Sequence, residues 1–151
     1  MAKKWKPKGT IKSKLLPIEI ATNDYWEPSD SMVVRGKKRY FTYGEAMGIN
    51  VDGWRLPTRA EWMALCIEFG EKDGDINSSV LSESLGLKKN GAVISGSLRN
   101  AGYYGYYWSS TAYSSANYAY YLYFDSGYVN PSNNNYRYLG FSVRLVRDVK
   151  E

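Results

Sequence analysis

From Gly102 onward the apolar residues of this chain fall on every second position, and that period constrains the fold more than any other feature. In Tyr118–Asp125 the residues Tyr120, Leu122 and Phe124 share one side, and Tyr121, Tyr123 and Asp125 share the other. Successive side chains of a strand point to opposite faces, so one side is expected in the core and the other in solvent. A Ser126–Gly127 turn followed by Tyr128-Val129-Asn130 completes a hairpin pattern. Phe141, Val143 and Leu145 repeat the alternation in a closing strand suited to the middle of a sheet.

The clearest helical signal follows Pro57. Thr58 and Glu61 have the T-x-x-E spacing in which each side chain satisfies backbone donors at a helix start, and Trp62, Leu65, Cys66 and Phe69 recur at helical spacing up to Gly70. A second short helix is expected at Ser79–Leu87, and Thr42 caps a brief turn through Glu45, Ala46 and Met47. Short strands are expected at Ile18–Ile20, Met32–Val34, Tyr40–Phe41 and Val93–Ile94, with turn formers at Asn23–Asp24 and Pro28–Asp30. At 151 residues the chain fits one domain. The fold class is α+β: a small, twisted, mainly antiparallel sheet with one or two helices.

Lys3, Lys4, Lys6, Lys8, Lys12 and Lys14 precede the first acidic residue, and after them 14 basic face 15 acidic residues. The net charge of +5 therefore belongs to the N-terminal end, and the body is nearly neutral. Residues 1–17 read as an extended basic lead-in arm, bracketed by Pro7 and Pro17, and residues 18–151 as the domain. Docking of this arm onto a virion or a surface partner is the alternative to plain solvation. The single Cys66 excludes an internal disulfide and sits in an apolar stretch, as a buried small hydrophobe would. The basic N-terminus lacks the apolar segment of a secretory signal, and no run is long enough to insert in a membrane, so a virion-associated chain, or a cytoplasmic one before assembly, is expected.

Twelve of the fifteen tyrosines lie between residues 100 and 147, among Ser, Asn and Gly, where the only charged residues are Asp125, Arg137, Arg144 and Arg147. Tyrosine offers a wide amphipathic face at low rotamer cost, and Ser, Gly and Asn supply adaptable hydrogen bonding, so this composition points to recognition. For any single tyrosine, packing is the commoner role. For the alternating outward rings contact is favoured, because so many exposed aromatics would otherwise be a liability. A disordered low-complexity tract is disfavoured by the regular placement of Trp108, Leu122, Phe124, Val129, Phe141 and Val143.

Trp54-Arg-Leu-Pro-Thr-Arg-Ala-Glu-Trp62 resembles the R-L-P-T-x-x-E-W signature of the formylglycine-generating-enzyme-like branch of the C-type lectin fold, and Gly140-Phe141-Ser-Val-Arg144 resembles its closing strand. Tyr107-Trp108-Ser-Ser-Thr111, the pattern Ala119–Phe124 and Asn130-Pro-Ser-Asn-Asn-Asn135 are similar to Fibrobacter-type paralogous domains and to the variable proteins of diversity-generating retroelements of phages and bacteria. The resemblance implies a C-type lectin-like domain whose scaffold stays constant while adenine-directed mutagenesis rewrites a binding face, here at about residues 103–139. Joined to the alternation, it gives a ligand-contacting set of Tyr103, Tyr104, Tyr106, Tyr113, Tyr118, Tyr121, Tyr123, Asp125, Tyr128, Tyr136, Tyr138 and Leu139. Tyr107, Trp108, Tyr120, Leu122, Phe124, Val129, Arg137, Phe141 and Arg144 are assigned to the scaffold.

Rival functions fare less well. The catalytic branch of that fold uses paired late cysteines, whereas this chain has only the early Cys66; it also has no histidine for acid–base work. Calcium-dependent sugar binding lacks its carboxylate triplet: Glu27-Pro-Ser29 lies too early and Asn130-Pro-Ser132 has no acid. Single-stranded nucleic acid needs rings and cations together, and here the lysines and the tyrosines lie apart. The expectation is a non-enzyme with no cofactor and no metal. Its partner would be a protein receptor on a cell surface, with metal-independent glycan binding as the alternative, and homo-oligomerisation would add avidity.

Overall fold

The computed structural model describes residues 4–28 and 37–150, so the strand expected at Met32–Val34 lies outside the described residues. In chain order the elements are β1 (Thr10–Lys12), β2 (Ile18–Ala21), β3 (Glu27–Pro28), β4 (Lys37–Lys38), α1 (Tyr43–Met47), α2 (Arg59–Gly70), β5 (Glu71–Lys72), β6 (Asp75–Ile76), α3 (Ser78–Leu85), β7 (Ala92–Ile94), β8 (Ser97–Arg99), β9 (Gly105–Ala112), β10 (Tyr118–Phe124), β11 (Val129–Tyr136) and β12 (Val146–Asp148). This is a mixed α+β fold of C-type lectin-like architecture, and its strands pair antiparallel in two three-stranded sheets and three small hairpins.

Local chemistry starts each helix. Thr58 and Glu61 form the expected reciprocal cap: the Glu61 N–H donates to Thr58 Oγ1 at 3.0 Å and the Thr58 N–H to Glu61 Oε1 at 2.8 Å. The same arrangement, Thr42 with Glu45, opens α1. Asn77 caps α3, which ends at Gly86 in the left-handed conformation with φ of 65°. Gly91 has to be glycine for two reasons: its φ is +72°, and a Cβ there would lie 2.2 Å from the carbonyl oxygen of Arg99.

The sheet ordered β11-β10-β9 carries apolar layers on both faces. Tyr107, Leu122 and Phe124 pack with Trp62, Leu65 and Cys66 of α2 and Leu81 and Leu85 of α3. Tyr106, Trp108, Ala119 and Tyr121 pack on the opposite side with Phe41, Trp54, Phe141, Val143 and Leu145. The alternation thus divides the residues as the period of two requires, but the side expected in solvent carries a second core. The covering layer comes from the closing segment, where the Phe141 ring lies 4.6 Å from Tyr121 and 4.9 Å from Tyr106. That segment is less regular than the expected single strand. Phe41 bridges to Phe141, and only Val146–Asp148 forms an extended strand, against β2.

Residues 4–17 of the lead-in contribute to this fold. Trp5 is only 3% exposed, its indole N–H donates to the Asp24 carbonyl at 2.9 Å, and its ring meets Tyr25 and Trp54 at 5.5 and 6.0 Å. β1 pairs with β2, and Glu68 fastens the following turn through the Ser13 hydroxyl (2.6 Å) and the Lys14 N–H (2.7 Å). Burying one indole and joining a sheet outweigh the entropy of ordering a lysine-rich segment. Cys66 is fully buried and its thiol is pushed up to about 12 by that burial, which suits a packing role.

Burial gives the aromatic core a signature at high pH. The phenols of Tyr106 and Tyr107 are raised by desolvation, and that of Tyr121 is pushed up to about 12. In the unfolded chain these groups ionise near pH ~10, so folding keeps protons that the unfolded state releases. Their stabilising share is whole below about pH 10 and is lost as pH rises toward about 12. Urea midpoints should therefore hold up to about pH 10 and fall steeply above it, with tyrosinate absorbance from the buried rings appearing only as the fold is lost.

Candidate ligand-binding face

The rings of the Tyr-rich segment form two groups, each rooted differently in the fold. In the first, Tyr104 meets Tyr123 at 5.6 Å, Tyr123 meets Tyr128 at 6.1 Å, and Tyr106 connects them to the core by stacking on Phe141. Tyr103, 72% exposed, and Tyr128, 55% exposed, present the most ring surface here. The Tyr123 hydroxyl donates to Asp125 Oδ2 at 2.9 Å, and the Gly127 N–H donates to Asp125 Oδ1 at 2.9 Å. Those two bonds, the Gly127 one foremost, hold the Asp125 carboxyl below its ordinary value, while burial and then Asp125 raise the Tyr123 phenol. Asp125 therefore fixes the turn and one ring as an ionised acceptor.

The second group lies toward the other end of β10. Tyr118 and Tyr136 face each other across the β10–β11 ladder with centroids 4.7 Å apart, and Tyr136 stacks on Tyr138 at 5.1 Å. Tyr113 links Tyr118 at 6.1 Å to Tyr120 at 5.3 Å. Two guanidinium groups are locked beside these rings. Arg59, at the first turn of α2, lies 4.3 Å over Tyr120 and donates from Nε to Ser132 Oγ at 3.0 Å. Arg137 lies 5.1 Å over Tyr43 and donates from Nε to the Tyr118 carbonyl at 2.7 Å.

Of the twelve sequence-derived contact positions, Tyr103, Tyr104, Tyr128, Tyr136 and Tyr138 are exposed, and Tyr113, Tyr118, Tyr123 and Asp125 are half-buried. Tyr106, Tyr121 and Leu139 are buried, which corrects their expected place at the surface. Tyr121 is held by three core rings and accepts a hydrogen bond on its hydroxyl from Asn133 Nδ2 at 3.0 Å. Leu139 lies in the turn that brings Phe141 under the sheet, and its side chain joins the same core. Conversely Tyr120, expected among the core anchors, is only half-buried and carries Arg59 on its ring.

Sequence reasoning missed Arg59, Ser132 and Asn133. Arg59 meets its partners across 61 and 73 positions of the sequence, so no local pattern reports it. Among the described residues no group of three or more His, Cys, Asp or Glu side chains is placed to hold a metal ion, and no helix is long and apolar enough to cross a membrane.

The family model described as the Lcl C-terminal domain matches residues 5–147, nearly the whole chain. Neither a curated protein nor a solved structure matches it.

Proposed function

The chain belongs to the Lcl C-terminal domain family, and from that premise we propose that it is the hypervariable binding protein of a diversity-generating retroelement, recognising a protein receptor on a cell surface. One observation carries the reading: large rings are left exposed on a rigid scaffold, at Tyr103, Tyr104, Tyr128, Tyr136 and Tyr138. Tyr104 and Tyr128 rest against the half-buried Tyr123, Tyr136 rests against the half-buried Tyr118, and Tyr138 stacks on Tyr136, so for these four less side-chain entropy remains to be lost when a target covers them. Burial of such aromatic anchors supplies affinity, and the neighbouring Ser, Asn and guanidinium groups supply polar contacts. No bond is made or broken in this mechanism. Neutral ring faces also suit metal-independent stacking on a sugar, which is the second reading.

Two experiments test this. The DNA around the gene should hold a near-copy of the segment encoding residues 103–147, differing mainly at adenines, beside a reverse-transcriptase gene. Absence of both would remove the retroelement assignment. Binding to intact host or neighbouring cells should fall at least about tenfold when Tyr103, Tyr128, Tyr136 and Tyr138 become serine together, with the unfolding midpoint nearly unchanged. Protease treatment of the cells abolishes binding if the receptor is a protein; binding that instead survives protease and tracks a glycan array regardless of chelator selects the second reading.

A further inference from the structure

We infer that the outer edge of β11 is a latent pairing surface for a second copy of this chain, held shut by asparagine side chains of the strand itself. β11 is outermost in its sheet. An outermost strand leaves alternate backbone N–H groups pointing away from its neighbour, ready to template another strand. Charge is the usual guard at such an edge, and Val129–Tyr136 contains none. Its Asn-rich, ring-flanked composition is of the kind that favours strand stacking between molecules.

The register identifies the outward donors. The Arg137 N–H donates inward to the Asn117 carbonyl at 2.9 Å, so Asn135 and Asn133, two and four positions earlier, also face β10. At the other end the Asp125 N–H donates to the Tyr128 carbonyl at 2.9 Å, which makes Tyr128 and Asn130 inward positions. The bulge between them leaves Pro131, Ser132, Asn134 and Tyr136 on the outer side.

Every one of these positions is closed. Pro131 has no N–H. The Ser132 N–H donates to Asn130 Oδ1 at 2.9 Å, the Asn134 N–H to Asn133 Oδ1 at 3.1 Å, and the Tyr136 N–H to Asn135 Oδ1 at 2.8 Å. Three asparagine carbonyls thus occupy three successive outward donors, where an incoming strand would need to place its own. Val129, outward at the start of the strand, has no such cap among the described residues and serves as an internal reference.

The test removes two of the caps, and because the Asn135 side chain also reaches the Tyr121 hydroxyl, the urea midpoint of the variant is measured beside its assembly. In Asn130→Ala with Asn135→Ala, Asn133 is kept because its Nδ2 holds Tyr121. Sedimentation velocity over about a hundredfold range of concentration should show a concentration-dependent species that wild type lacks. Adding Asn134→Lys, a charge on the opened edge, should abolish that species, whereas Ser114→Lys, exposed and off the edge, should leave it. A variant that sediments as wild type at every concentration, or an assembly that Asn134→Lys fails to reverse, would overturn the inference. Should the variant fail to fold, hydrogen exchange on wild type decides: amides 132, 134 and 136 should exchange at least about tenfold more slowly than amide 129, and equal rates count against the caps.

Discussion

Replacing Arg144 with alanine is expected to lower unfolding free energy by about 3–5 kcal/mol, a large part of what a domain of this size has. The side chain is 1% exposed and all its N–H groups are engaged. Nε and Nη2 donate to Asp24 Oδ1 at 3.0 and 2.7 Å, Nη1 to the carbonyls of Ala21, at 3.1 Å, and Leu85, and Nη2 also to the Gly86 carbonyl at 2.8 Å. Asp24 in turn accepts from the Tyr107 hydroxyl at 3.0 Å and from Asn90 Nδ2 at 2.9 Å. One guanidinium therefore joins the end of β2, the end of α3 and the closing segment. Its removal strands a mostly buried carboxylate and orphans three carbonyls, and such losses exceed the net worth of the pair itself. Lysine keeps the charge but not the planar fork, and should recover only part of the loss. Removing Asp24 as well, as Asp24→Asn in the alanine background, should cost less than the separate changes added together. Chemical denaturation of wild type, Arg144→Ala, Arg144→Lys, Asp24→Asn and the double variant measures this, and a loss under about 1 kcal/mol for Arg144→Ala would mean the network contributes little to stability.

The sequence places Arg144 in the scaffold through its motif, yet the partner that gives it this weight is 120 positions away. The same division runs through the molecule. Helix starts were legible because caps act over three residues, as at Thr42 and Thr58. The β10 alternation was legible because parity is local, and it separates Tyr121 and Tyr123 from Leu122 and Phe124 as observed. Parity does not say what covers a face. Phe141, brought under the odd-numbered side by the closing segment, and Trp108, opposite Tyr121 on β9, were recognised as core residues without it being evident which rings they would bury. Register beyond the turn was partly legible too. A plain hairpin about Ser126–Gly127 pairs Phe124 with Val129 and Tyr123 with Asn130, as found, and would carry on to Tyr121 with Ser132. The bulge moves that partner to Asn133, beside a proline that cannot donate and an asparagine that caps Ser132.

Tyr121 and Tyr138, alike in the sequence as candidate contact rings, are expected to separate completely on replacement by serine. Tyr138 is 67% exposed and touches the described fold chiefly by stacking on Tyr136, so Tyr138→Ser should change stability by no more than about 0.5 kcal/mol. Tyr121 is 3% exposed, wedged among Tyr106, Trp108 and Phe141 at 5.8, 6.1 and 4.6 Å, with its hydroxyl held by Asn133. Tyr121→Ser empties a ring-sized volume and leaves a small hydroxyl short of its partner, so a loss of about 3–4 kcal/mol is expected. Tyr121→Phe separates the two contributions: it keeps the volume and should lose only about 1 kcal/mol, from the Asn133 amide. Urea unfolding of the three variants supplies the comparison, and cell binding supplies the complement, since Tyr138→Ser should weaken binding at native stability. The buried ring is constrained by every neighbour, so exchange at position 121 would disturb the scaffold, while exchange at 103, 128, 136 or 138 leaves it standing. An unmoved midpoint for Tyr121→Ser would mean that the closing segment does not cover this side of the sheet in solution, and the odd-numbered rings would return to the surface.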